Sequence, residues 1–221
     1  MVDEKELIPE IFPLKKERKG GVANLMFAAL LLEAARMKDE GLNSNDIEAA
    51  SQEAFAISEG YLTQIENIGA PVVYEFLASL SSKLDSAHPL KGRYDNFFTP
   101  PGSLEKKDSL LAPGRGEDTA DLMLLDILKN RFLAVAFMVS VEVVEAGLLK
   151  LQDMDTLCKQ TFKWKEGPFA QMNRLGLEEV MRIVTEKMEI SHRREINFPV
   201  PRMLISQVQK NVPWPLNSGA A

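Results

Sequence analysis

The segment Asn24 to Gly41, NLMFAALLLEAARMKDEG, has a counterpart 106 residues further along the chain in Asn130 to Gly147, NRFLAVAFMVSVEVVEAG. Both segments begin with asparagine, carry apolar residues around nearly the whole helical circumference and end with glycine. Apolar residues on all sides are typical of a buried helix, and the final glycine suits a left-handed cap. We therefore predict two long buried helices, at 22–40 and 119–146, in equivalent positions of two repeats.

Shorter matches follow each long segment in the same order. The matched pairs are Gly60 with Gly167, Gly69 with Gly176, Phe55 with Phe162, Glu59 with Glu166, Gln64 with Gln171, Val73 with Val180, and segment 46–48 with 153–155. A single one-residue gap changes the spacing from 106 to 107 residues. An ordered series of this kind indicates duplication of a unit of about sixty-five residues.

The pattern divides the chain into four parts: a polar lead-in at 1–21, a first repeat at 22–85, a connection rich in proline and glycine at 86–118, and a second repeat with a C-terminal helix at 119–221. Further helices are predicted at 46–56, with Ser44 and Asn45 as cap candidates, between Gly60 and Gly69, and at 71–84, 153–160, 168–175, 177–189 and 201–210. No stretch shows sustained strand alternation. The predicted fold class is all-α, with two helical repeats packed as a pseudo-twofold pair.

Composition narrows the classes of function. The net charge of −6 argues against a nucleic-acid partner or an anionic membrane surface. The longest apolar run, Phe132 to Val141, is about half as long as a membrane span. Cys158 is the sole cysteine, so we expect a buried apolar residue in a reducing compartment rather than a disulfide. The first ten residues lack the apolar core of a secretory signal. We expect a cytoplasmic protein.

Motifs for self-contained catalysis are missing. Gly114-Arg115-Gly116 has no preceding strand and no third glycine, so it does not predict a dinucleotide site. The two histidines, His88 and His192, have no second ligand at metal spacing, and both are expected to be solvated loop residues. We therefore predict no cofactor and no metal bound by this chain alone, and an isolated chain without dehydrogenase activity.

The repeat resembles the C-terminal helical domain of 3-hydroxyacyl-CoA dehydrogenases. Segment 13–24, PLKKERKGGVAN, is similar to the segment that leads out of the nucleotide-binding domain of that family. Further matches cover 32–35, Gly41 and 46–48 in the first copy, and 130–131, 144–147, 153–155, 166–169 and 175–178 in the second. The resemblance spans about 13–84 and 122–189. It implies two tandem helical domains of the type also found in 6-phosphogluconate dehydrogenase, without the Rossmann domain.

In that family the paired helical domains form one wall of the acyl-CoA site and the dimer contacts, whereas NAD and the catalytic His–Glu pair belong to the Rossmann domain. The resemblance therefore implies the substrate-binding and dimerisation part of an NAD-dependent 3-hydroxyacyl-CoA dehydrogenase of fatty-acid β-oxidation. Its implied partners are acyl-CoA and either a separate Rossmann subunit, which would supply NAD, or a second copy of the chain. The alternatives are a non-catalytic acyl-CoA-binding or assembly module, and a fragment of a longer multifunctional enzyme.

Asn24 matches the asparagine that lies beside substrate and catalytic histidine in that family. The resemblance implies that its amide polarises a thioester or keto oxygen, provided a partner supplies the histidine; the alternative is a helix cap. Asn130 is expected to be structural. The family's phenylalanine and arginine in this motif are replaced by Gly21 and Leu25. Candidate contacts for coenzyme A phosphates, or alternatively a solvated charge run, are Lys15, Lys16, Arg18 and Lys19.

Losing a Rossmann domain would expose the face around 13–21, Asn24 and the start of the first long helix, including Val22 and Met26. Two outcomes are open. In the first, a partner, either a Rossmann subunit or a second copy of the chain, covers this face; in the second, the connection at 86–118 folds back on it with Tyr94, Phe97 and Phe98.

Overall fold

The computed structural model describes residues 18–83, 97–105, 110–111 and 122–216. Within these ranges the chain is helical and contains no strand, which confirms the all-α class. The helices are α1 (Arg18–Asp39), α2 (Ser44–Phe55), α3 (Tyr61–Ile68), α4 (Ala70–Lys83), α5 (Leu122–Glu145), α6 (Leu151–Thr161), α7 (Pro168–Leu175), α8 (Leu177–His192) and α9 (Arg202–Lys210), with a 3-10 turn at Gly102–Leu104.

The helices α1 to α4 and α5 to α8 follow the same order of lengths. The first set has 22, 12, 8 and 14 residues, and the second has 24, 11, 8 and 16. The turns between them also correspond. Gly41 and Gly147, which end the two long helices, have φ angles of 82° and 70°, a left-handed conformation that glycine adopts without steric cost.

A second shared turn follows α2 and α6. Ala56 and Lys163 both have positive φ angles, 53° and 60°, although neither is glycine. Sequence comparison did not detect this pair because alanine and lysine share no side-chain chemistry. The left-handed conformation costs a residue with a Cβ atom about 1–2 kcal/mol, so the packing on either side must impose it at both positions.

Two helix starts differ from the sequence expectation. Helix α1 begins at Arg18 rather than 22, so Gly20 and Gly21 lie inside its first turns instead of in the lead-in. Helix α2 begins at Ser44, and its cap is Asn43, whose side chain accepts a hydrogen bond from the Asn45 N–H at 2.8 Å. Neither Ser44 nor Asn45 is the cap, because the helix starts two residues before the predicted position.

The two long helices lie in the core and contact each other, and α5 also packs against α2 and α8. From 22 to 37, α1 is buried except at Asn24, and α5 is buried throughout 131–143. Apolar residues all around both helices produce this burial. The prediction of two buried central helices is confirmed.

Aromatic side chains fill the contact between the two sets of helices. The Phe55 ring of α2 stacks on Trp164, between α6 and α7, with ring centroids 4.0 Å apart. Trp164 Nε1 donates to the Tyr61 hydroxyl at 3.2 Å, and Tyr61 lies 5.7 Å from Phe132 of α5. Burial raises the pKa of Tyr61 well above its ordinary value. The phenol therefore stays neutral and acts as a hydrogen-bonding core residue.

The connection contributes buried side chains to the first set of helices. Phe97 and Phe98 are fully buried, and the Phe97 ring lies 5.2 Å from the Arg36 guanidinium of α1. Val22 and Met26 are also buried, so the start of α1 is not the exposed face that loss of a domain would leave. Tyr94 lies outside the described residues.

Candidate functional site

Within the described ranges, several buried titratable side chains surround Glu33, which is itself fully buried in the middle of α1. Arg131 of α5 donates to the Glu33 carboxylate from Nε at 2.7 Å. Lys187 of α8 donates to both carboxylate oxygens, at 2.8 and 2.6 Å. Each partner is itself at least nine-tenths buried. One carboxylate therefore joins three helices, two of which belong to the second set.

The cluster extends towards the C-terminal end of α1. Glu40 accepts a hydrogen bond from Arg131 Nη2 at 2.7 Å and pairs with Arg194, just after α8, at 2.8 Å. Arg36, also buried, donates to the Phe97 backbone carbonyl. In the described part of the chain, two carboxylates thus face three buried cations and one half-exposed arginine.

Burial and the neighbouring charges shift the pKa values of the four buried members, Glu33, Arg36, Arg131 and Lys187. Burial alone would raise the pKa of Glu33, but Arg131 and Lys187 outweigh burial and lower it to about 2. Burial lowers the pKa of Lys187 to about 8 against the pull of Glu33, and it lowers that of Arg36 to about 10. Despite burial, Glu33 and Glu40 raise the pKa of Arg131.

At neutral pH the cluster is a set of ion pairs rather than an acid–base pair. A carboxyl with a pKa of about 2 is too weak a base for efficient proton transfer near neutrality. The Lys187 amine is protonated and bonded to both Glu33 oxygens, so it has no lone pair for nucleophilic attack. The arrangement links α1, α5 and α8 electrostatically.

Sequence reasoning quoted Glu33 and Arg131 only as parts of motifs and missed Lys187 altogether. A usable signal was present: charged residues interrupt helices that are otherwise apolar on every side, as at Glu33, Arg36 and Arg131. A charge in such a helix must be paired when it is buried. The signal indicates that partners exist but does not identify them.

Asn24 lies in the second turn of α1, six residues after the helix begins. It therefore cannot be the N-cap, and this alternative for Asn24 is wrong. The side chain is partly buried, and its buried Oδ1 atom has no hydrogen-bond donor among the described residues. A buried acceptor without a donor costs about 1–3 kcal/mol. Such an atom is a reason to look for a ligand or partner group there.

No described histidine approaches Asn24. His192 is exposed at the end of α8, two residues before Arg194, which pairs with Glu40 beyond the C-terminal end of α1. Asn24 lies near the opposite end of α1. The solvent exposure of His192 agrees with the sequence expectation, although His192 ends a helix rather than lying in a loop. His88 falls outside the described residues.

The candidate phosphate contacts are only partly described. Arg18 and Lys19 form the first two residues of α1, and their side chains are outside the described atoms, as are Lys15 and Lys16 altogether. Asn130, the equivalent of Asn24, is partly buried in α5. Cys158 is buried and free, and burial raises the pKa of its thiol well above the ordinary value. It is the inert apolar residue that was predicted.

Among the residues with described positions, no group of three or more His, Cys, Asp or Glu side chains has the geometry to hold a metal ion. Across these same ranges, no helix combines the length and the apolar character that crossing a bilayer requires.

The chain matches no known protein family, no curated protein and no solved structure.

Proposed function

We propose that this chain is the helical part of a two-protein 3-hydroxyacyl-CoA dehydrogenase, formed by duplication of one four-helix unit. In this proposal a separate Rossmann subunit supplies NAD and the catalytic histidine, and the helical chain binds the acyl-CoA. The observation that carries the proposal is the agreement between the dehydrogenase-like motifs and the repeated geometry around Glu48 and Asp155.

These two carboxylates come from the segments 46–48 and 153–155 that support the family resemblance. Glu48 accepts hydrogen bonds from the N–H groups of Leu62 and Thr63 at 3.2 and 3.3 Å. Asp155 accepts from Phe169 and Ala170 at 2.8 and 3.1 Å. Each carboxylate thus caps the short helix that follows, at positions exactly 107 residues apart. Shared contacts of this kind support duplication of a structural unit.

Asn24 supports a ligand-binding role for the first unit. Its hydrogen-bond-free Oδ1 atom lies one to two turns from Arg18 and Lys19, at the N-terminal end of α1. In the proposal Asn24 Oδ1 accepts a hydrogen bond from the partner's histidine, and Nδ2 donates to the thioester oxygen. Arg18 and Lys19, together with Lys15 and Lys16, contact the coenzyme A phosphates.

A second candidate is a non-catalytic acyl-CoA-binding or assembly module. The burial of Val22 and Met26 favours it, because the face expected to meet a Rossmann subunit is covered. The exposed apolar start of α5 also favours an assembly role, since Leu122 is 77% and Met123 74% exposed. Neighbouring exposed apolar side chains that form a contiguous patch mark sites where another protein binds.

Calorimetric titration with acetoacetyl-CoA tests both candidates. We expect one acyl-CoA per chain. Asn24→Ala should weaken binding about tenfold or more, because roughly one hydrogen bond to a polar ligand atom is lost. The matched Asn130→Ala should leave binding unchanged. Binding that is insensitive to Asn24→Ala, with no NADH oxidised when a Rossmann subunit and NADH are added to the acetoacetyl-CoA complex, favours the non-catalytic module. Absence of acyl-CoA binding contradicts the dehydrogenase role and the acyl-CoA-binding module, and it leaves only the assembly module.

A further inference from the structure

The C-terminal segment after α9 contacts α6 and α7 through one buried side chain and through its main chain. Trp214 is 2% exposed, and its ring meets the Phe169 ring edge to face at 5.0 Å. Asn173 of α7 hydrogen-bonds to the Trp214 backbone twice: Oδ1 accepts from its N–H at 2.7 Å and Nδ2 donates to its carbonyl at 3.0 Å. The Trp214 side chain is therefore held by packing against Phe169, and its main chain is held by the Asn173 side-chain amide.

Because Pro213 and Pro215 flank Trp214, the tripeptide 213–215 has few main-chain hydrogen-bonding groups, and side chains near it bind all of them. Pro213 and Pro215 have no N–H, so Trp214 carries the one N–H of this tripeptide, and Asn173 binds it. The Pro215 carbonyl accepts from Gln152 Nε2 of α6 at 3.0 Å, and the Pro213 carbonyl accepts from Gln207 Nε2 at 3.3 Å. Every main-chain polar group from 213 to 215 therefore has a partner, and all of these partners are uncharged.

The first set of helices holds another segment in the equivalent place. Glu66 of α3 stands 107 residues before Asn173, and its carboxylate accepts from the N–H groups of Leu110 and, at 3.2 Å, Leu111. Ser44 of α2 donates to the Leu110 carbonyl at 2.8 Å. Leu110 is 4% exposed, so it corresponds to the Trp214 anchor. Both sets of helices thus hold an apolar residue by its side chain and main chain together.

We propose that the groove between α6 and α7 is a peptide-binding site, occupied in this chain by its own C-terminal segment as a tethered ligand. The ligand it takes from a partner protein is an extended, uncharged peptide with one aromatic anchor between two prolines. Asn173 selects this class because an amide pairs with one N–H and one carbonyl of the same residue. Glu66 accepts two consecutive N–H groups instead, so the first groove does not take a Pro-aromatic-Pro peptide.

The tethered segment is suited to exchange. It contributes a single buried anchor. Five hydrogen bonds join its main chain, at Val212, Pro213, Trp214 and Pro215, to side chains of the rest of the chain. A segment with so few buried groups opens at much lower free energy than the core. While tethered, it competes with a free peptide at an effective concentration on the order of millimolar.

The test is calorimetric titration of the full-length Trp214→Ala variant with the synthetic peptide NVPWPLN, which has the sequence of residues 211–217. We expect one site per chain and an affinity at least about tenfold higher than for the wild-type chain, in which the tethered segment competes. Adding Asn173→Ala should abolish this binding. The matched control Arg174→Ala, an exposed neighbour on α7, should leave it unchanged.

A folded Trp214→Ala variant that does not bind the peptide overturns the proposal, because the segment is then a fixed part of the fold. Binding that survives Asn173→Ala overturns it as well. A concentration-dependent dimer of the wild-type chain, dispersed by the peptide, identifies the donor as the segment of a second copy and supports the same site.

If Trp214→Ala does not fold, the wild-type chain labelled with 5-fluorotryptophan replaces it. The two tryptophans give two fluorine resonances, which Trp164→Phe assigns. Millimolar peptide should move the Trp214 resonance towards its position in a free peptide. A Trp214 resonance that does not move overturns the proposal. This test does not involve acyl-CoA, so its outcome is independent of the proposed dehydrogenase role.

Discussion

Arg131 of α5 donates to the fully buried Glu33 of α1 from Nε at 2.7 Å, across a sequence separation of 98 residues. The same guanidinium contacts Glu40 through Nη2, and the same carboxylate holds Lys187 of α8. Burying charges costs several kcal/mol per ion unless partners surround them. Glu33 thus joins the first set of helices to the second, because its carboxylate in α1 neutralises buried cations in α5 and α8.

Glu33→Gln should destabilise the fold by about 3–5 kcal/mol, because it leaves Arg131 and Lys187 buried with less opposing charge. Chemical denaturation followed by circular dichroism measures this. Glu179→Gln is the control: it removes a carboxylate from the exposed pair with Arg182 on α8, and exposed pairs contribute about 1 kcal/mol or less. Equal effects of the two substitutions would show that burial of the cluster has no energetic importance.

The depressed pKa of Glu33 predicts loss of stability in acid. Its pKa is about 2 in the folded chain against 4.5 for the free group, so the unfolded state takes up the proton first as pH falls. The stability that Glu33 contributes is present above pH 4.5 and is lost as pH falls towards 2. The contribution is on the order of 3 kcal/mol.

Urea denaturation of wild type and Glu33→Gln at several pH values between 5 and 2.5 checks this dependence. The difference in unfolding free energy between the two chains should shrink steadily over that range. A difference that stays constant with pH would mean that Glu33 is not held ionised by its neighbours.

Gly167→Ala and Gly60→Ala should each destabilise the fold by about 1–3 kcal/mol through overpacking. A Cβ atom at Gly167 would lie 2.5 Å from the Asp155 Cα, which is backbone and cannot rotate away. At Gly60 it would lie 2.3 Å from the Ser51 Oγ, a side-chain atom that can move. The effect should therefore be larger at Gly167.

Gly21→Ala serves as the comparison for both glycines. It lies within α1 with no atom within 4 Å of an added Cβ, so alanine should stabilise the fold by about 0.5–1 kcal/mol. Thermal denaturation gives the sign of each change. Tolerance of Gly167→Ala without loss of stability would show that the Asp155 cap is not closely packed.

Ala56→Gly and Lys163→Gly should both stabilise the fold, by about 0.5–1 kcal/mol. Glycine relieves the strain of the left-handed conformation, which is about 1–2 kcal/mol. Part of this stabilisation is offset because glycine raises the conformational entropy of the unfolded chain. Ala49→Gly, in the middle of α2, is the control with the opposite sign, at about 1 kcal/mol of destabilisation. Destabilisation at either Ala56 or Lys163 would contradict the positive φ angles of these two residues.

The helices themselves were largely predictable because their signals are local. Continuous apolar residues around 24–41 and 130–147 predicted buried helices, and Gly41, Gly69, Gly147 and Gly176 marked the turns whose positive φ angles the structure shows. The starts of α1 and α2 were missed by a few residues, since the two glycines before Val22 do not stop a helix and Asn43 caps α2 where Ser44 or Asn45 was expected.

The candidate site was much less predictable. Asn24 could be named from its motif, but the lack of a donor at its Oδ1 atom depends on what packs around it. Lys187 gave no signal, because a lysine on an amphipathic helix is ordinarily solvated. The same holds for Asn173, whose two hydrogen bonds to Trp214 cross 41 residues of sequence.

Helix order, turn positions and the buried character of α1 and α5 were therefore encoded in short stretches of the chain, where residue periodicity and glycine act within one or two turns. The pairing of Glu33 with Arg131 and Lys187, and the binding of Trp214 by Asn173, arise when distant helices pack. Such contacts depend on which faces meet in the folded chain, and the energies of desolvation and hydrogen bonding that select them act between residues far apart in sequence.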